Sequence, residues 1–440
     1  MELPAVFVSR TQALLGSEWS AFECALNEES PVSIRLNPYK SSTETLNSFK
    51  NVEIVPWASN AYYLPYRPAF TFDPLFHAGC YYVQEASSMF LEQIIRKQIS
   101  KPVKVLDLCA APGGKSTQLA SVLPERSLLV ANEIIRPRAC ILTENLIKWG
   151  IPNTIITNND PSTIGKLSAC FDVIVADVPC SGEGMFRKDT GVINEWSIHA
   201  IQLCAERQKR IIADVWPALK QGGLLVYSTC TYNKEENEDV ISWICKELKA
   251  EIADPLRRFM PHRTKGEGFF IATVRKTGGK EEKRKRKKEK GKKIQIPPEI
   301  KNRLTEWDRF SIFSENNSFT IIPAIHSEDY LFLKNRLKII SAGTTLGEIK
   351  GKDFVPAHAM AMSNFLASSA FPKWELDKET ALKYLRRETL QTTVGNLPKG
   401  YILVTYLNHP LGFIKNIGIR TNNLYPQEWR IRASGKKINL

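Results

Sequence analysis

Two short stretches carry residues suited to covalent chemistry, Asp177-Val178-Pro179-Cys180 and Ser228-Thr229-Cys230-Thr231. Each places a cysteine in a polar turn directly after an apolar run, at the end of a strand rather than inside a core. A third stretch, Asp107-Leu108-Cys109-Ala110-Ala111-Pro112-Gly113-Gly114-Lys115-Ser116, also follows an apolar run and opens into a helical pattern. Glycines let the backbone approach a ligand closely. Free N–H groups at a helix start attract a carboxylate or phosphate. A thiolate beside a bound nucleoside cofactor has a specific use. Carbon 5 of cytosine is a poor nucleophile, but a thiolate adding to carbon 6 makes the ring an enamine whose carbon 5 attacks a methyl sulfonium. A base then removes the proton from carbon 5 and the thiol leaves, so one hard step becomes two easier ones. Asp177 is placed to hold the amino group or ring nitrogen of the base. Lys115 is placed to balance developing charge or to pair with an acid at the loop. Asn233-Lys234-Glu235-Glu236 reads as a helix N-cap with an acid three residues on, and the positive end of that helix favours a nearby thiolate. Chemistry alone leaves open which of the two cysteines attacks.

The elements that must hold these residues alternate in kind. Strand-like runs are Val103–Leu108, Leu128–Asn132, Thr154–Thr157, Asp172–Ala176, Leu224–Ser228 and Phe269–Val274, with helical stretches at Arg136–Trp149, Ile198–Leu219 and Glu235–Leu248. Such alternation predicts an α/β fold with a mostly parallel, Rossmann-like sheet covered on both faces, and ligands at the C-terminal strand ends. Glu133, at the end of the second run, stands where an acid takes ribose hydroxyls. Asp160 follows the third, in a turn before Pro161 that it also suits as a plain turn-former.

The composition sets bounds. At 440 residues the chain exceeds one ordinary core. Its net charge of +14 points to a polyanionic partner, nucleic acid before membrane. The tract Lys280–Lys293 holds ten Lys or Arg against three Glu, half of that excess, so the remainder of the chain is still basic. The nine cysteines are scattered without a Cys-x-x-Cys pair, which speaks against a zinc site or disulfide framework and for reduced thiols. Cys24, Cys140, Cys170, Cys204 and Cys245 read as small apolar packing residues. No apolar run approaches a membrane span and Met1-Glu2-Leu3-Pro4 lacks the basic region of a secretory signal, so a cytoplasmic location and no membrane partner are expected.

The loop 107–115, Asp177–Cys180 and Ser228–Thr231 together resemble the RNA cytosine-5 methyltransferase family. The run Pro179-Cys180-Ser181-Gly182-Glu183-Gly184-Met185-Phe186-Arg187-Lys188 is similar to its bacterial 16S rRNA methyltransferase F branch. The resemblance implies S-adenosylmethionine as cofactor, bound by Cys109, Ala110, Ala111, Pro112, Gly113, Gly114, Lys115, Glu133, Arg138, Asp160 and Asp177, with no metal. It implies attack by Cys230, with Cys180 as helper in product release and Asp177 and Lys115 completing the catalytic set. The implied partner is RNA, 16S rRNA or the 30S subunit, met by a monomer. A tRNA cytosine-5 methyltransferase and a non-catalytic ribosome-assembly factor are the alternatives; both thiols in place speak against the latter.

The expected organisation is an N-terminal RNA-contacting α+β extension over 1–95, with Arg35 and Asn37, and a methyltransferase domain over 96–276. A basic linker over 277–296, a small α+β accessory domain over 297–384 and a β module over 385–440 complete it. The last resembles the pseudouridine-synthase-like (PUA) RNA-binding domain. The aromatics from Trp57 to Tyr82, near Arg67 and His77, serve either base stacking or packing, and Gln84–Gln98 reads as one helix.

Overall fold

The computed structural model describes residues 1–41, 43–278, 298–351, 353–390 and 397–433. The basic tract 280–293 lies outside them. Eight strands form the large sheet: β1 (Lys104–Asp107), β2 (Leu128–Asn132), β3 (Thr154–Thr157), β4 (Phe171–Asp177), β5 (Leu219–Thr229), β6 (Ala250–Phe259), β7 (Phe269–Lys276) and β8 (Ile339–Ala342). Their spatial order is β6-β7-β5-β4-β1-β2-β3-β8. The five strands from β5 to β3 are parallel, and β6, β7 and β8 are antiparallel to their neighbours. Alternate residues of one strand enter cores on opposite faces: Leu106, Val130, Ile174 and Leu225 on one side, Val105, Leu129, Val173 and Val226 on the other. Burial on both faces is why these strands read as continuous apolar runs. Helices α1 (Gly114–Val122), α2 (Arg136–Trp149), α3 (Ile198–Val215) and α4 (Glu238–Glu247) connect them.

The chain builds outward from β1 in both directions, through β2 and β3 on one side and β4 and β5 on the other. The crevice between the carboxyl ends of β1 and β4 is therefore the topological switch point, where open α/β sheets bind ligands. Three details depart from the sequence expectation. Pro217 ends α3 at Val215 and turns the chain through a 3-10 segment (Trp216–Ala218). The Gln84–Gln98 stretch becomes a 3-10 turn (Ser87–Phe90) leading into a helix only at Leu91–Gln98. Glu85 starts that turn by accepting the Ser87 and Ser88 N–H groups, both at 2.8 Å. Finally, β6 is an edge strand whose exposed Glu251, Arg257 and Ile252 give no apolar run, and β8 enters from beyond the catalytic stretch.

A four-stranded antiparallel sheet (Glu53–Ile54, Ala61–Leu64, Val32–Leu36, Tyr81–Val83) lies beside the crevice, which its Tyr82 and Val83 line. Two further four-stranded sheets follow β7 in sequence, the last built from Lys373–Glu375, Gly400–Tyr406, His409–Asn416 and Thr421–Asn423. The two ends of the chain meet: Ile34, Leu75 and Tyr81 belong to one apolar cluster with Leu376, Tyr384, Ile402 and Tyr425. Among the described residues no helix is long and apolar enough to cross a membrane.

Candidate active site

Strand order brings three loops to the crevice. After β1, the chain passes Leu108–Pro112 and reaches Gly113 at φ +118°, a conformation that side-chain-bearing residues rarely adopt, immediately before α1. The loop is pinned at its carbonyls: Arg138 Nη2 donates to Ala111 O at 2.9 Å and Asn145 Nδ2 to Pro112 O at 2.8 Å. Cys109, Ala110, Ala111, Pro112, Gly114 and Lys115 line a groove with Tyr82, Gln84 and Asp177, holding about 550 Å³ of empty space with its open mouth.

Two carboxylates at this edge are buried and each leaves one oxygen without a hydrogen-bond partner, Asp107 Oδ1 and Glu133 Oε2. Glu133 Oε1 accepts the Ile135 N–H at 2.9 Å, and Arg138 Nη1 stands 3.6 Å from Oε2, beyond hydrogen-bond reach. An unsatisfied buried carboxylate oxygen calls for a donor from outside the chain, and a ribose diol supplies one. Ser116 donates to Asp107 Oδ2 at 2.6 Å, but burial dominates and pushes this carboxyl up to about 7. The residues present thus fit a nucleoside cofactor: a close-approach loop, a helix start and an acid lacking its donor. Asp160 is placed differently. It is exposed and caps the short helix Pro161–Gly165, accepting the Ser162 N–H at 2.9 Å and its hydroxyl at 2.6 Å, and these hydrogen bonds hold its carboxyl below the usual range.

On the other side of the crevice, β4 and β5 lie in parallel register with Asp177 beside Ser228. Ser228 Oγ donates to Asp177 Oδ1 at 2.7 Å, and Lys115 Nζ sits 2.8 Å from Asp177 Oδ2. Burial works to strip the Lys115 proton, yet the Asp177 carboxylate outweighs it and the ammonium is held on more firmly than usual. Cys180 and Cys230 lie with their sulfurs 3.1 Å apart, and the Cys230 N–H donates to the Cys180 sulfur at 3.3 Å. The contact with Cys230, together with burial, pushes the Cys180 thiol well up. The structure therefore brings Lys115, Asp177, Cys180 and Cys230 together, and separately gathers the 109–114 loop, Glu133 and Arg138.

Two buried acids tie the thiol loops together: Glu183, which the sequence did not single out, and Glu236, the acid of the capping pattern. Asn233 and Glu236 bond reciprocally, Glu236 N–H to Asn233 Oδ1 at 2.9 Å and Asn233 Nδ2 to Glu236 Oε1 at 2.8 Å. They close a turn ahead of the helix, however: α4 starts at Glu238 with Asn237 as its N-cap, so Asn233 is not the helix cap the sequence suggested. Arg35 and Asn37, expected in an RNA-contacting surface, are 2% and 0% exposed. The Arg35 guanidinium lies 4.7 Å from the centre of the Trp149 ring and donates to Thr117 Oγ1 at 2.6 Å and Gln84 Oε1 at 3.0 Å, bracing α1 from behind. The aromatic stretch is divided: Phe70 is buried and Tyr66 is exposed.

Comparison with known proteins identifies the family. Residues 97–275 match the model described as 16S rRNA methyltransferase RsmB/F, residues 3–86 the N-terminal domain of 16S rRNA methyltransferase RsmF, and residues 371–431 the methyltransferase RsmF PUA domain. The ribosomal RNA small subunit methyltransferase F of Citrobacter koseri is 31% identical over 80% of this chain and 78% of its own length. That of Erwinia tasmaniensis is 29% identical over 99% and 98%. Among solved structures, a methyltransferase homolog protein from Pyrococcus horikoshii is 30% identical, with TM-score 0.54 over 62% of this chain and 94% of its own. NSun6 from the same organism, solved with SFG, shares the fold at TM-score 0.55 and 20% identity, over 63% and 99%. A Rossmann-like sheet, an N-terminal extension and a terminal PUA module, matched along nearly the full length of its relatives, make this chain an S-adenosylmethionine-dependent RNA methyltransferase belonging to the ribosomal RNA small subunit methyltransferase F family.

Proposed function

We propose that this chain methylates carbon 5 of a cytosine in 16S rRNA, free or within the 30S subunit, through a transient bond between Cys230 and carbon 6 of the base. The observation that carries this reading is the pair of sulfurs 3.1 Å apart beside the Lys115–Asp177 ion pair. Chemistry that leaves the ring intact, such as methylation of an exocyclic amine, has no use for two thiols. S-adenosylmethionine, when bound, supplies an electrophilic methyl group.

The residues divide the work. Cys230 attacks carbon 6, which loads electron density onto carbon 5. Asp177 holds the amino group or ring nitrogen of the cytosine, fixed in orientation by Ser228 and Lys115. Lys115 keeps its proton and offsets the negative charge that gathers on the ring. After transfer the proton on carbon 5 passes to a base, the carbon 5–carbon 6 double bond re-forms and the carbon–sulfur bond breaks; Cys180, in contact with the departing sulfur, assists this release. On the cofactor side, Cys109–Lys115 cradle the ligand and Glu133 takes ribose hydroxyls. Arg138 holds the loop at Ala111 beside Glu133, and Asp160 stands one strand further along the same edge. The N-terminal extension and the last C-terminal module, sharing one core, present the RNA.

Bisulfite sequencing of 16S rRNA incubated with the protein and S-adenosylmethionine tests the reading. A protected cytosine that disappears with Cys230→Ala is expected. Methylation of any other atom, or undiminished protection with that variant, would sink it.

A further inference from the structure

We propose that Glu183 and Glu236 are positioning residues forming a reciprocal latch, in which the acid from each thiol's loop holds the backbone of the other thiol's loop. The inference rests on the thiol roles proposed above and extends them to residues outside the crevice.

Glu183 follows Cys180 by three residues, yet its carboxylate serves the Cys230 segment. Its Oε2 accepts Thr231 Oγ1 at 2.7 Å, the Tyr232 N–H at 2.8 Å and the Asn233 N–H at 2.9 Å. Its Oε1 accepts Trp196 Nε1 at 3.0 Å. The next residue repeats the direction, with Gly184 N–H donating to Cys230 O at 2.9 Å. A Cβ on Gly184 would stand 2.9 Å from that same oxygen, so the two backbones are in direct contact. Glu236 runs the other way. It follows Cys230 by six residues, and its Oε2 accepts the Ser181 N–H, beside Cys180, at 2.9 Å. Gln208 Nε2 donates to the same oxygen at 2.8 Å and to Pro179 O at 3.0 Å, gripping both sides of Cys180.

Both acids are buried, at 2% and 0% exposure, and every bond named comes from a neutral donor. Burying a carboxylate among neutral donors is an expensive way to fix a loop when apolar packing would serve stability alone. Backbone donors to a carboxylate give short, directional bonds, which suits a requirement on position. Two sulfurs that must act in turn on one ring carry that requirement, since a misplacement of about 1 Å costs roughly a hundredfold in rate.

Because the latch is reciprocal, its halves should fail differently. Glu183→Gln loosens the nucleophile's loop, so methyl transfer in a single turnover should slow by about 10- to 100-fold with no protein–RNA adduct accumulating. Glu236→Gln loosens the loop of the release thiol. Single-turnover transfer should stay within about threefold, while steady-state turnover falls at least about tenfold and an adduct builds up on a denaturing gel. S-adenosylmethionine affinity by calorimetry should stay near wild type in both. Should either variant fail to fold, Thr231→Val removes one donor to Glu183 and Gln208→Met one to Glu236, and the same split is expected at smaller size. Loss of rate in parallel with loss of cofactor affinity, identical behaviour of the two variants, or wild-type kinetics in both would overturn the latch. Cys230→Ala and Cys180→Ala run beside them separate the cases: if those controls fail to divide into no adduct and trapped adduct, the thiol roles are wrong; if they divide and the glutamate variants do not, the latch is wrong.

Discussion

The sulfurs of Cys180 and Cys230 meet at 3.1 Å although fifty residues separate them, because β4 and β5 run parallel with Asp177 level with Ser228. Each thiol then sits two or three residues past the same line across the sheet. A parallel neighbour requires a crossover, here through α3, and so the two motifs are far apart in sequence and adjacent in space.

The proposed division of the sulfur pair into an attacking and a releasing thiol is open to test by substitution. Cys230→Ala should abolish methyl transfer. Cys180→Ala should leave protein covalently held on RNA, seen as a slow-migrating band that nuclease collapses. Free turnover by the Cys180 variant would remove its part in release.

The Lys115–Asp177 pair makes a prediction about energy as well as rate. Asp177→Ala should weaken base binding and slow transfer by about 100-fold or more, as for loss of a preorganised electrostatic contact. It should also cost about 1–2 kcal/mol of stability, discounted because Asp177 is 36% exposed while Lys115 is 13% exposed. The double variant Lys115→Met/Asp177→Ala should regain melting temperature without regaining activity. A single variant that loses stability with its kinetics intact would leave Asp177 a structural residue.

Asp107 gives the cofactor-free protein a pH signature. Its carboxyl is pushed from 3.8 to about 7, chiefly by burial. The folded state therefore binds this proton more tightly than the unfolded chain. The stabilisation is fully present below pH 4 and is lost as pH rises through about 7. Asp107→Asn should flatten the fall in stability over that window by up to a few kcal/mol, measured by urea unfolding at several pH values. An unchanged pH profile would show that Asp107 ionises normally.

Arg35 distinguishes a brace from an RNA contact. It is buried against Trp149 and Thr117, and burial pushes its guanidinium down to about 9. Arg35→Ala should lower stability by about 2–4 kcal/mol through lost packing and unpaired acceptors. It should weaken S-adenosylmethionine binding, because the helix start at 113–117 loses its support, and should leave the salt dependence of RNA binding unchanged. A flatter salt dependence with full stability would return Arg35 to the RNA surface.

What the sequence determined by itself was the local chemistry: an apolar run, a Pro-Gly-Gly break and a helix start, twice followed elsewhere by a cysteine in a polar turn. These are legible because strand burial and turn geometry act over a few residues, and each leaves a pattern along the chain. The parallel sheet and the strand–loop–helix turn at 107–116 followed from that pattern. Tertiary structure alone decided what depends on strand order. It brought Glu183 and Glu236 to opposite loops, turned Arg35 inward under α1, and sent β8 to the edge of a sheet begun more than 200 residues earlier. A buried acid or arginine looks the same in sequence as a solvated one, because its partners are backbone groups and side chains that only the folded chain brings within reach.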